Sequence, residues 1–254
     1  VQLYFSNEET QREVLRRGWG GAITDTEGDY LMVTDTNLGG GKTDGVIEQE
    51  IALDVNIDGD GTITNTLTIE RTHHGIQGLL FTGVNNVDYL RVYVPKGSHL
   101  ISAEGFSVPD STLFEKPENT WTTDDDLHYA SLSREVDPMS GTEVKQEHGK
   151  TVFGNWVQTK PGTSSTVIFT YRLPITLDML SREKGLLDTL QDFVGIPSTD
   201  QYTLSIQKQS GILDRTTTVQ VNIPDDVESV WSSHGPEASF TNDADAFYGL
   251  LLER

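Results

Sequence analysis

The chain has 254 residues, with 39 acidic against 18 basic side chains, a net charge of −21 and no cysteine. This charge argues against nucleic acid or an anionic membrane as the main partner, and the lack of cysteine excludes disulfides and thiol chemistry. The sequence contains no apolar run of membrane-spanning length and no signal sequence. The first residue is not Met, and Val1 to Phe5 already alternate like a strand. We therefore expect natural sequence to precede this chain.

The first predicted element is a short helix over about Asn7 to Arg17. Ser6 to Glu9 has the Ser-x-x-Glu form of a capping box, and Gly18 follows two arginines that suit a helix C-terminus. Tyr30 to Val33 is then predicted as a buried strand, because it is a brief apolar run.

A β-hairpin is predicted next, because Ile47, Ile51, Leu53, Val55 and Ile57 share one face, as do Ile63, Leu67 and Ile69 on the returning strand. All these positions are odd, so apolar residues can oppose one another only across a loop of odd length. Gly59-Asp60-Gly61 fits a three-residue loop that ends with Gly61 in the left-handed conformation.

Further strands are predicted at Tyr89–Val94, Thr151–Gln158, Thr166–Leu173, Tyr202–Gln207, Thr217–Ile223 and Phe247–Leu252. Residues 108–150 are polar and predict a long surface excursion, and the apolar spacing of Leu186 to Val194 predicts an inserted helix. The predicted fold is mainly β, an antiparallel β-sandwich with a short N-terminal helix and one inserted helix. We expect one module over 1–254, with a possible subdivision into 1–174 and 175–254.

The hairpin loop is a candidate calcium site. Asp54, Asn56, Asp58 and Asp60 alternate in the way a calcium loop begins. However, Leu67 occupies the position of the closing glutamate, and the same residues also satisfy the hairpin pattern. No other metal, cofactor or catalytic constellation is recognisable.

Asn37 to Thr43 resembles a phosphate-binding loop because it ends in Gly-Lys-Thr. Its leading glycine is missing and a strand, not a helix, is predicted to follow, so nucleotide binding is not expected. Exposed tryptophans could stack on sugars, although aromatic residues more often lie in a core. The candidate binding residues are Trp19, Asn37, Lys42 and Arg91.

Several blocks of sequence occur in a familiar order. They are Val1–Phe5, Gly18–Gly21, Asp29–Lys42, Tyr89–Ser98, Phe169–Pro174 and Gln207–Gly211. This order resembles the C-terminal half of the bacterial "domain of unknown function 4012" family. The resemblance implies a membrane-anchored parent protein with most of its chain outside the membrane, and it supplies no catalytic residues. The family's preceding half, which is similar to cell-wall polymer ligases of the LytR-CpsA-Psr type, lies outside this sequence. The predicted insertion, Thr176 to Gly195, departs from the family pattern.

These observations predict a non-catalytic extracellular module of a bacterial cell-surface protein, a scaffold or accessory to a neighbouring domain. The alternative is a module that binds cell-envelope carbohydrate or a surface protein, and a third reading is an envelope-polymer hydrolase or transferase. Expected partners are other domains of the parent chain, and possible partners are cell-wall glycan or a surface protein. Nucleic acid is not expected, and membrane contact is expected only through an anchor in the parent chain.

Overall fold

The computed structural model describes residues 2–39, 41–122, 124–125, 134–178, 199–212, 215–241 and 243–254. The chain is mainly β, with two mixed sheets packed against each other and one helix near the N-terminus, which confirms the predicted sandwich. The helix is α1, Glu8–Arg16, and the strands are β1 Asp29–Thr34, β2 Ile47–Ile57, β3 Thr62–His73, β4 Asn86–Pro95, β5 His99–Glu104, β6 Glu135–Val136, β7 Glu143–Glu147, β8 Lys150–Thr159, β9 Ser164–Thr176, β10 Thr199–Ile206, β11 Arg215–Asn222, β12 Glu228–Ser232, β13 Glu237–Thr241 and β14 Ala246–Glu253. Single turns of 3₁₀ helix occupy Asp44–Val46 and Ser111–Leu113.

The eight-stranded sheet has the order β12-β14-β10-β1-β4-β8-β7-β6, and the six-stranded sheet has the order β13-β11-β2-β3-β9-β5. Each sheet contains one parallel pair, β1 with β10 and β2 with β11. The predicted β-sandwich is confirmed, but its sheets are mixed and not antiparallel throughout. Parallel neighbours need a long connection, and here more than 150 residues separate the paired strands, so no local pattern marks them.

The β2–β3 hairpin forms as predicted. Ile57 pairs with Ile63, the Gly61 N–H donates to the Asp58 carbonyl oxygen over 2.9 Å, and Gly61 has φ +82°. The odd-numbered residues from Ile51 to Ile57 on β2 and from Ile63 to Ile69 on β3 are buried in the core between the sheets. A side chain at Gly61 would also meet the Leu177 carbonyl oxygen, at 2.4 Å from its Cβ.

The N-terminal helix is confirmed, but its cap differs from the prediction. Asn7, not Ser6, is the N-cap, and its side-chain oxygen accepts from the Thr10 N–H over 2.9 Å. Asparagine is as good an N-cap as serine, so a helix start shifted by one residue has little effect on stability.

The segment 108–150 is more regular than predicted, since β6 and β7 form a small hairpin and β7 pairs with β8. The predicted surface excursion thus contains two short strands that the sequence did not reveal, because the polar residues of β7 lie near a sheet edge, where one face remains wet. The predicted helix at Leu186–Val194 lies outside the described residues. In the part of the chain that is described, no helix is long and apolar enough to span a membrane.

Candidate functional site

A buried ion-pair cluster occupies one end of the sandwich. Asp35 follows β1, Arg71 is near the end of β3, Asp88 is near the start of β4 and Arg215 begins β11. The Arg71 guanidinium contacts Asp88 directly and lies 3.5 Å from Asp35, and Arg215 contacts Asp35. Their side chains are 10% exposed or less. Two guanidinium groups and two carboxylates are thus paired at the end of the core, beyond the apolar residues of β3 such as Leu67 and Ile69.

Amide side chains tie this cluster to the neighbouring loops. Asn86 accepts from Arg71 over 3.1 Å and donates to the Thr43 hydroxyl over 2.9 Å. Gln209 binds the backbone of Asp35 twice, accepting from its N–H over 2.8 Å and donating to its carbonyl oxygen over 2.9 Å. The cluster therefore links segments that lie far apart in the sequence, including the loop that resembles a phosphate-binding loop.

The two carboxyl groups differ in their protonation. Burial raises the pKa of Asp88 to about 7, although Arg71 opposes this effect. Burial also acts on Asp35, but Arg71 and Arg215, with hydrogen bonds from Asp88 and Gln49, outweigh it and lower the pKa of that carboxyl. Asp35 is thus a weak base, and Asp88 is fully enclosed. Neither carboxyl is well placed for acid–base work on a substrate.

A cleft of about 280 Å³ lies over the cluster. Three members of the cluster line it, together with neighbouring polar side chains: Asp35, Arg71, Arg215, Asp44, Gln49 and Ser210. A second pocket of about 390 Å³ is lined by the Gly18–Thr24 region and by Gln207 to Gly211. Ser210 and Gly211 line both, so they lie between the Asp44 loop and the segment around Trp19.

An exposed apolar surface lies beside the same cluster. We call it the apolar tip, and it consists of Leu38, Ile76, Leu79, Leu80, Phe81 and Val84, which are 43–78% exposed. Residues 75–87 contain no acidic, basic or histidine side chain. An apolar patch formed by consecutive loop residues is uncommon on a soluble surface and indicates a contact site.

The backbone of the tip is fixed by its own hydrogen bonds. The Gly78 and Gly83 N–H groups donate within the loop over 3.2 and 3.0 Å, to the carbonyl oxygens of Gly83 and Leu79. Thr82 N–H donates to the Leu80 carbonyl oxygen over 3.0 Å, and Phe81 between them has φ +71°. This is the strained form of the γ-turn, and it persists only where the surroundings impose it.

The tip is attached directly to the buried cluster, because it is the connection between β3 and β4. Buried His73 accepts at Nδ1 from the Gly75 N–H over 3.0 Å, which leaves Nε2 to donate to the Val84 carbonyl oxygen over 3.0 Å. The Lys42 N–H donates to the Phe81 carbonyl oxygen over 2.9 Å. Charged and polar groups beneath the tip therefore hold apolar side chains out in solvent.

The predicted binding residues do not form one site. Trp19 is 48% exposed, with the Arg17 guanidinium 5.3 Å from its ring centroid. Asn37 donates to Thr43 over 3.1 Å, and the Lys42 amine lies 5.7 Å from the Phe81 ring centroid. Arg91 lies on β4, 3.6 Å from Glu147. Of the four, Asn37 and Lys42 belong to the loop that supports the apolar tip.

The calcium candidates form part of the hairpin. Asp60 accepts from the Thr62 N–H over 2.9 Å, and the Asn56 side-chain oxygen accepts from Asn222 over 2.9 Å. Within the described ranges, no three histidine, aspartate or glutamate side chains are grouped to hold a metal ion. Calcium binding by Asp54, Asn56, Asp58 and Asp60 stays a prediction.

Two exposed aromatic rings flank Gly249 near the edge of the eight-stranded sheet. Trp231 and Phe247 are 56% and 53% exposed, and both rings approach the position that a side chain at Gly249 would occupy, at 3.3 and 3.2 Å. Trp156 instead packs against Tyr89 and Phe114, with ring centroids 5.0 and 5.1 Å away. Trp231 therefore lies on an exposed face with Phe247 on the other side of Gly249, whereas Trp156 packs against other rings.

Sequence reasoning missed both the ion-pair cluster and the apolar tip. One signal was present, since Arg71 has the same odd parity as Leu67 and Ile69 and must point inward. A buried arginine needs an acidic partner, but the parity rule does not say which of 39 acidic residues supplies it.

No family model matches the chain, and no curated protein matches it. A solved structure of a candidate nutrient-binding protein from Legionella pneumophila is 8% identical with a TM-score of 0.38, over 89% of this chain and 71% of the other. An M1 zinc metallopeptidase from Deinococcus radiodurans is 12% identical with a TM-score of 0.26, over 90% of this chain and 43% of the other. Likenesses this distant carry no conclusion about function.

Proposed function

We propose that this chain is a non-catalytic extracellular β-sandwich module of a bacterial cell-surface protein, which acts as a scaffold or accessory to a neighbouring domain. The observation that supports it is the apolar tip, a rigid contact surface presented beside a buried cluster of paired charges. Contact between apolar surfaces is the main source of affinity in stable interfaces, and exposed leucine and phenylalanine side chains supply it.

The absence of catalysis is proposed from the same cluster. An acid or base must reach its substrate with a suitable pKa. Asp35 is held ionised by two guanidinium groups, and Asp88 is fully buried. The open side of the cleft offers Asp44 and Ser210, and no described contact joins this serine to a histidine. Such a serine lacks the base that would activate it.

Membership of the "domain of unknown function 4012" family also stays a proposal. Its support is that residues from separate blocks of the resemblance meet in space. The Tyr30 hydroxyl donates to Gln207 over 2.6 Å, and Gln209 binds the backbone of Asp35. A membrane-anchored parent and a location on the extracellular face of a bacterial membrane or cell surface follow from that resemblance alone.

A second candidate function is recognition of cell-envelope carbohydrate. It is favoured by Trp231 and Phe247, whose exposed rings flank Gly249, because aromatic faces that lie open on a sheet can stack on sugar rings. Ser233 donates to the His234 ring or accepts from it over 2.8 Å nearby, which adds polar groups at the rim.

Turnover of envelope polymers tests the proposed function. We expect purified chain to leave isolated cell-wall polymers unchanged in mass, as measured by mass spectrometry over several hours. Release of fragments that is lost in both Asp44→Asn and Ser210→Ala would contradict the proposal, because both side chains line the open cleft.

Photo-crosslinking tests the contact role directly. A crosslinking residue at Leu80 of the parent protein is expected to capture a neighbour in intact cells. The same residue at Met139 is the matched control, since Met139 is 92% exposed but lies on a different loop. Equal yields at the two positions would show that the apolar tip makes no specific contact.

A further inference from the structure

We propose that the apolar tip inserts into the interfacial layer of an electrically neutral lipid bilayer. This inference rests on the proposed function, because an accessory module of a membrane-anchored parent lies beside a bilayer, and it assigns the apolar tip to that bilayer instead of to a neighbouring domain. The bilayer contact would be made by the described chain itself, independently of any anchor elsewhere in the parent protein.

The chemistry of the tip fits a lipid surface. Its most exposed side chains are Leu80 at 78% and Ile76 at 68%. Leucine, isoleucine and phenylalanine are favourable in the hydrocarbon region, whereas acidic and basic side chains are strongly unfavourable there, and residues 75–87 contain none of the latter. An interfacial segment of this kind enters the membrane by about 5–10 Å.

The backbone of the tip also suits insertion. Away from water, each free N–H or carbonyl group costs several kcal/mol in lipid, so an inserted loop must satisfy its own backbone. Within the tip, the N–H groups of Gly78, Leu79, Thr82 and Gly83 all donate to carbonyl oxygens of the same loop. The Phe81 carbonyl oxygen accepts from Lys42. This internal pairing lowers the cost of moving part of the loop backbone away from water.

The charge of the whole chain decides the type of lipid. The Lys42 amine lies 5.7 Å from the Phe81 ring centroid, but the chain as a whole carries a net charge of −21. An anionic membrane would repel the chain at low ionic strength, and salt would screen that repulsion. Binding should therefore be strongest on neutral lipid and should increase with salt on anionic lipid. Most peripheral proteins with basic patches show the opposite dependence.

Co-sedimentation with vesicles tests the inference. We expect the chain to bind vesicles of pure phosphatidylcholine, and to bind vesicles containing phosphatidylglycerol more weakly at low salt than at high salt. Leu80→Asp should weaken partition by about tenfold or more, since it replaces a leucine that enters the bilayer with a charge. Met139→Asp, the matched control on an exposed apolar residue elsewhere, should leave it unchanged.

Three results would overturn the inference. They are failure of the wild-type chain to bind phosphatidylcholine vesicles, equal binding by Leu80→Asp, and a Leu80-dependent dimer seen by light scattering without lipid. Thermal melting of each variant checks that it is folded. If vesicles are not bound but the crosslinker at Leu80 captures a protein, the bilayer inference fails and the proposed contact function survives. If both fail, neither stands.

Discussion

Two carboxylates at opposite ends of β1 are buried in different ways. Asp29, at its start, accepts from neutral donors, the Tyr202 hydroxyl over 2.7 Å and the Asn65 amide over 2.8 Å. Asp35, just past its end, is paired with arginines. Burial raises the pKa of Asp29 to about 6 despite its hydrogen bonds, whereas the pKa of Asp35 is lowered. Hydrogen bonds from neutral groups do not replace a counter-charge in a dry site.

The comparison predicts that the arginine end depends strongly on its counter-charges. Arg71→Met leaves Asp88 and Asp35 with one guanidinium between them, and breaking a buried pair costs about 3–5 kcal/mol. We expect a loss of that size in urea unfolding at pH 7.5. The loss should be smaller at pH 5, because Asp88 can then take up a proton.

Arg172→Met is the matched control for this prediction, since Arg172 is an exposed arginine on β9. It should change the free energy of unfolding by less than about 0.5 kcal/mol. A similar cost for the two variants would show that the cluster contributes nothing beyond ordinary surface charge.

Burial of Asp29 should make the free energy of unfolding depend on pH. Its pKa is about 6 in the folded chain and about 3.9 when unfolded, so the folded state binds the extra proton between these values. Stability from Asp29 is then fully present below about pH 4 and is lost as pH rises to 6. A difference of about two between the folded and unfolded pKa corresponds to about 3 kcal/mol in the free energy of unfolding. We expect the wild-type chain to gain this much over Asp29→Asn as pH falls from 7 to 4.

Urea unfolding at several pH values measures this gain, and exposed Asp225 supplies the control. Asp225→Asn should track the wild type across the range. A constant difference between the wild type and Asp29→Asn would mean that folding does not raise the pKa of Asp29.

Some of this structure was predictable because local patterns determine it. The hairpin of β2 and β3 follows from parity and a glycine loop, and both act over neighbouring residues. The eight longest predicted strands carry enough apolar residues to be recognised. Short strands such as β12 and β13 were missed for two reasons: β12 is almost wholly exposed and shows no alternation, and β13 alternates over only five residues, too few to stand out.

The site was not predictable for a different reason. Asp35, Arg71, Asp88 and Arg215 come from four separate strands or strand ends, and only the packing of the sheets brings them together. The parallel pairing of β2 with β11 places Arg215 beside Gln49. The apolar tip was also overlooked, because the run from Ile76 to Val84 is apolar without periodicity and does not reveal whether it is buried or exposed.

The smallest predicted effect is the loss of stability when the Tyr202 hydroxyl, a donor to Asp29, is removed. It should differ from the effect of removing a hydroxyl that donates to an uncharged acceptor. Tyr202→Phe removes a donor to a carboxyl that is ionised above pH 6, and hydrogen bonds to charged groups contribute about 1.5–3 kcal/mol. We expect a loss in that range at pH 7.5. The loss should be smaller at pH 4, because Asp29 is then protonated and no longer a charged acceptor. Since the lost hydrogen bond favoured the ionised carboxylate, the pKa of Asp29 should also be higher in the variant than in the wild type.

Tyr248→Phe provides the matched control, because its hydroxyl donates to the Gly235 carbonyl oxygen over 2.8 Å and that acceptor has no charge to lose. Its cost should be about 1 kcal/mol and the same at both pH values. If Tyr202→Phe were equally independent of pH, the contrast between the two ends of β1 would reflect packing alone. A pH-dependent cost at Tyr202 and a constant cost at Tyr248 would instead locate the titration at Asp29. The proton that this carboxyl takes up would then stabilise the start of β1 in the way that arginine stabilises its end.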